Sequence, residues 1–63
     1  MSKKQDTIYI KSMIKFMQES LNLMSEVLDD PEETFSRVLL IAKDLNKKSN
    51  YIKITAENFL NEK

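Results

Sequence analysis

Eight lysines, two tyrosines and one tight group of carboxylates are the residues of this chain whose types and spacing could do chemistry. Lys3, Lys4, Lys11 and Lys15 near the start, and Lys43, Lys47, Lys48 and Lys53 further on, are the cations that could neutralise nucleic-acid phosphates. Tyr9 and Tyr51 fall among them and could stack on unpaired bases. From this set Lys3, Lys11, Lys15, Gln18, Tyr9, Tyr51, Lys47 and Lys48 form a candidate RNA-binding group. Asp29, Asp30, Glu32 and Glu33 bracket the single proline and could attract a divalent cation. They lack the glycine and the alternating oxygen-ligand spacing of a calcium loop, so capping and dipole compensation account for them and no metal site is expected.

Ordinary catalytic chemistry is poorly served. With no His and no Cys there is no imidazole base, no thiolate and no zinc ligand set. With no Gly there is no phosphate-cradling loop and no dinucleotide fingerprint. The expectation is a non-enzymatic protein with no cofactor and no small-molecule substrate. The longest apolar run, Val38 to Ala42, is far short of the ~20 residues that span a bilayer, so no membrane partner is expected. Absence of Cys fits a reducing compartment, and a cytoplasmic location is the expectation.

The elements that must carry these residues are helical. Asp30 before Pro31, with Glu32 and Glu33 after it, reads as the N-terminus of a helix beginning at Pro31. Upstream, Ile10, Ile14, Met17, Leu21, Met24 and Leu28 step by four and three, with Met13, Phe16, Ser20, Leu23 and Val27 flanking them. Together these cover an arc of about 160° at 100° per residue, more than one neighbouring helix can bury. Downstream, Phe35, Val38, Ala42, Leu45, Ser49, Ile52, Ala56 and Phe59 continue the rhythm. The β-branched stretch around Ile52, Ile54 and Thr55 is weak for helix and predicts a break near residues 48–50. The predicted architecture is all-α, one domain over residues 1–63: an antiparallel hairpin of helices at about 5–28 and 31–48 or longer, with a short third helix at 55–62. Folding at Asp29 and Asp30 sets Met24 against Phe35, Leu21 against Val38 and Ile14 against Leu45.

So short a chain buries only ~60% of its unfolded surface, and with no disulfide or metal the remaining remedy is a second chain. Charge then chooses an arrangement. Residues 1–18 carry +3, residues 19–33 carry −6, residues 34–53 carry +4, and residues 54–63 carry −1. Each hairpin is acidic at its turn and basic at its open end, which favours a homodimeric four-helix bundle with the turns at opposite ends. Leu40 and Ile54 lie off the apolar seam, fourteen residues apart, and with Phe59 and Leu60 they are the candidate contacts for a larger protein partner. That is the first functional expectation: a small helical regulator that binds or inhibits a larger protein partner as a homodimer.

The plan also resembles that of the Rop family of plasmid RNA-organising proteins. The likeness lies in the hairpin with an acidic turn near its middle and in the run from Lys15-Phe16-Met17-Gln18 to Ser25-Glu26-Val27-Leu28. It covers about one helix. The resemblance implies an antiparallel dimer that binds paired RNA loops through its first helices, with Lys3, Lys11, Phe16, Gln18 and Ser25 as the nearest stand-ins for the binding residues. RNA is therefore the alternative partner.

Overall fold

Two long helices account for nearly all of the chain. In the computed structural model, which describes residues 2–62, α1 runs Lys3–Leu28 and α2 runs Ser36–Asn61, and the two pack against each other as a hairpin. α1 opens on a side-chain N-cap: the Ser2 hydroxyl accepts the Gln5 N–H at 3.2 Å, and no Gly or Pro interrupts the helix that follows. It ends at Asp29, where the Asp29 N–H turns back to the Glu26 carbonyl and the Asp30 N–H to that of Val27, because Asp30 precedes a proline and is steered out of the α region.

The second helix begins at Ser36, not at Pro31 as the capping pattern predicts. The Asp30 carboxylate is used for a turn: it accepts the Glu32 N–H at 3.0 Å, and the Asp30 carbonyl accepts the Glu33 N–H. Pro31 therefore sits in the connector, residues 29–35. At its far end Phe35 takes a left-handed conformation, φ 69°, and offers α2 no side-chain cap. Glu33 supplies the missing acceptor, taking the Arg37 N–H at 3.3 Å at the positive end of α2. Arg37 reaches back with its guanidinium to Glu33 at 2.6 Å and Asp30 at 2.7 Å. The connector is thus clamped to the first turn of α2 by one arginine.

There is no break at residues 48–50 and no separate third helix: α2 is continuous through Ile52, Ile54 and Thr55. Packing overrides the weak local propensity here. Ile52, Thr55 and Phe59 all lie on the half-covered stripe, and Lys53 pairs with Glu57 one turn on at 3.8 Å.

The packing stripes also differ from the expected seams. In α1 the covered positions are Asp6, Ile10, Met13, Met17, Ser20, Met24 and Val27; in α2 they are Val38, Ile41, Leu45, Lys48, Ile52, Thr55 and Phe59. Ile14, Leu21 and Leu28, expected at the centre, lie to one side and are about half exposed. The register shifts with them. Asp6, Ile10, Thr55 and Phe59 line one cavity, which sets Asp6 level with Phe59 and Ile10 level with Thr55. Carried along the common rhythm, this puts Met13 level with Ile52, Met17 with Lys48, Ser20 with Leu45, Met24 with Ile41 and Val27 with Val38. The cause is the longer connector: with α2 starting five residues late, the predicted pairing of Met24 with Phe35 is lost.

Candidate interaction surface

A two-helix ribbon has two broad faces, and here both carry exposed apolar side chains. The cavity at the open end, about 280 Å³, joins Thr7 of α1 to Ala56 and Leu60 of α2, which identifies the stripes that share the first face. Every seventh residue from Thr7 gives Ile14, Leu21 and Leu28, and every seventh from Ala56 gives Ser49, Ala42 and Phe35. Beyond Thr7 the α1 edge of this face is large, while Ala56, Ser49 and Ala42 make the α2 edge small up to Phe35 at its connector end, and none of the eight is charged. A smaller cavity, about 90 Å³, opens on the other side against Asn58. The same stepping there gives Tyr9, Phe16 and Leu23 on α1, and Tyr51, Asp44 and Arg37 on α2, with Leu40, Lys47 and Ile54 next to them. The second face is aromatic and carries charges.

Little is hidden between the helices. Val27, 8% exposed, is the one apolar side chain buried among the described residues, while thirteen large apolar ones stand exposed. The whole molecule presents 5111 Å² to solvent. A compact monomer of 7.4 kDa would present about 4,200 Å².

Two charged residues, Asp6 and Lys48, sit on the packing stripe beside the smaller polar Ser20 and Thr55. Asp6 is 6% exposed, and its Oδ1 is covered without a hydrogen-bond partner. Lys48, half-covered, turns its ammonium to Asp44 one turn back. Their only advance signal was that a strict three-four spacing through Ile10 and Leu45 passes through both. In the connector, backbone N–H donation from Glu32 and then the Arg37 hydrogen bond hold the Asp30 carboxyl below its ordinary range. Burial pushes Glu33 up, but the hydrogen bonds from Arg37 outweigh it and the net shift is downward. The two carboxylates raise Arg37 in turn.

The residues singled out from the sequence are distributed as follows. Leu40 and Ile54 are exposed, 65% and 44%, on the edge of the second face. Leu60 is exposed beside the first face, and Phe59 is half-covered on the packing stripe, closing the open end. Tyr9 and Tyr51 do share the second face, with Lys47 at its edge. Lys3 lines the open-end cavity, and Lys48 is engaged by Asp44. Lys11, Gln18 and Ser25 run in one line beside the first face, and Lys15 lies on the back of α1. The basic residues therefore surround the hairpin and do not converge on one surface. Among the described residues no group of His, Cys, Asp or Glu side chains could hold a metal ion, and no helix is long and apolar enough to cross a membrane. No family model, curated protein or solved structure matches the chain, so its reading rests on this geometry.

Proposed function

We propose that this chain is a non-enzymatic interaction protein: a helical hairpin that pairs with a second copy in a four-helix bundle and binds a larger protein partner through a helix face left outside it. The observation that carries this reading is the pair of faces with exposed apolar side chains on one thin ribbon. One neighbour covers one face; the other remains for a different polypeptide. Tyr9 and Tyr51 suit the second face to a separable partner, because aromatic side chains with polar tips are enriched at such interfaces and tolerate water when the partner leaves. The mechanism is helix-face docking, and inhibition follows where the docked surface belongs to the partner's working site.

Sedimentation and far-ultraviolet circular dichroism over a wide concentration range test the first half of this. The expected result is a dimer whose helicity falls on dilution as the chains separate. A folded monomer at micromolar concentration refutes it. RNA binding is the second reading, favoured by Tyr9 and Tyr51 sharing a face with Lys47. It predicts affinity that falls steeply with salt and drops in a Lys47→Glu, Tyr51→Ala double variant on that face, whereas apolar docking barely responds to salt.

A further inference from the structure

We infer that the first face, bearing Ile14, Leu21 and Leu28 on α1 and Ala42, Ser49 and Ala56 on α2, is the seat of the second copy, with turns at opposite ends and the two-fold axis at Ser49. This deepens the reading just given and rests on it.

The area fits. The Cα outline of the hairpin is 51 Å by 16 Å. One face thus offers about 800 Å² per copy, or about 1,600 Å² in all, the standard size of a stable protein interface. It also matches the roughly 900 Å² by which the hairpin exceeds the surface of a compact monomer.

The shape fits in one arrangement in particular. Face-to-face packing with turns at opposite ends lays α1 on the partner's α1 and α2 on the partner's α2, each pair antiparallel. Ala42, Ser49 and Ala56 are evenly spaced about Ser49. A two-fold axis there sets Ala42 opposite the second copy's Ala56 and Ser49 opposite its equal, so the two α2 helices can approach closely. In the hairpin register Ser49 is level with Phe16, near the middle of α1. The same axis then drops the second copy's Thr7, Ile14, Leu21 and Leu28 close to midway between those of the first, so the large side chains interleave. Leu28 of each copy arrives level with Lys4 of the other, at the mouth of the open-end cavity lined by Thr7, Ile10, Ala56 and Leu60. That cavity is the place the partner's leucine fills.

Charge agrees. The uncharged face is flanked toward the open end by Lys4, Lys11 and Lys53, and its turn end carries Asp29, Asp30, Glu32 and Glu33. Turned end for end, each connector lies beside the other copy's lysines; with turns together, the connector carboxylates of the two copies crowd one another.

The chain has no cysteine, so a single introduced one reports its own position. In Ser49→Cys the two thiols face each other across the axis, within the Cα separation of about 4.4–6.8 Å that a disulfide needs. Mild oxidation is expected to convert nearly all of Ser49→Cys to a covalent dimer that keeps its helicity, while Leu40→Cys, on the second face, and Lys43→Cys, on the back of α2, stay largely uncrosslinked. If the parent chain sediments as a dimer but Ser49→Cys fails to crosslink, or Leu40→Cys crosslinks in its place, this assignment is overturned and the homodimer stands. If turns lie together, residue 49 faces the partner's α1 and no Ser49→Cys dimer forms. A parent chain that sediments as a folded monomer overturns both.

Discussion

Replacing Asp6 with leucine should stabilise this protein. Asp6 occupies the packing stripe level with Phe59, 6% exposed, with one carboxylate oxygen covered and unbonded. Protein mutational data put the cost of burying an unpaired polar group at about 1–3 kcal/mol. A leucine removes that cost and contributes about 1.5–3 kcal/mol of its own if fully buried. Against this stands the favourable placement of an acid in the first turn of α1, worth about 0.5 kcal/mol. Overpacking is a further deduction of about 1 kcal/mol, because the adjacent 280 Å³ cavity also takes the second copy's Leu28 in the proposed dimer. The net gain for Asp6→Leu is about 1–4.5 kcal/mol, which in a domain of this size raises Tm by at least about 4 °C. Thermal unfolding followed by circular dichroism, at one fixed protein concentration so that mass action does not contribute, reads it directly. An unchanged or lower Tm would show that the carboxylate has a partner in the working assembly, and that its covered oxygen is not the liability described here.

Other substitutions test other parts of the hairpin. Lys48→Leu should raise the unfolding free energy read from urea titration by about 1 kcal/mol, since burial on the stripe exceeds an i,i+4 ion pair worth a few tenths; a drop would mean that Asp44 depends on Lys48. Ser2→Ala should cost about 1 kcal/mol and lower the helicity of α1, because it removes the N-cap acceptor. Asp30 and Glu33 have carboxyls held below their ordinary values of 3.8 and 4.5, so their contribution is complete above those values and is lost as pH falls through the lower folded ones. Stability should therefore decline progressively in acid from about pH 4.5 downward, and Arg37→Gln should flatten that decline, as acid titration of the two proteins would reveal.

The two helices could be read from the sequence because their apolar rhythm is unbroken and only Pro31 interrupts it. Which line of that rhythm faces the other helix could not. α1 carries apolar residues on Ile10 and Met13, on Ile14 and Leu21, and on Phe16 and Leu23, and any of these lines suits a helix neighbour. The choice falls to the connector, whose length depends on what Asp30 does with its carboxylate. A capping aspartate and a turn-forming one look alike in sequence; here it bonds Glu32 and delays α2 to Ser36. The left-handed Phe35 was illegible for the same reason, since nothing in a phenylalanine announces positive φ. Leu40 and Ile54 were read correctly as lying off the covered seam, because an unbroken helix fixes their angle whatever the register.

The Arg37 clamp has a consequence for how the molecule assembles in time. All of its bonds join residues no more than seven apart, so the bend can form from local encounters, on the scale of tens of nanoseconds for closing a loop of this kind. In the dimer proposed above, each chain can thus be folded back on itself before it meets another, which makes collision the slow event. Refolding observed after rapid dilution from denaturant should quicken as more protein is present, and a rate indifferent to concentration would place the slow event inside the single chain.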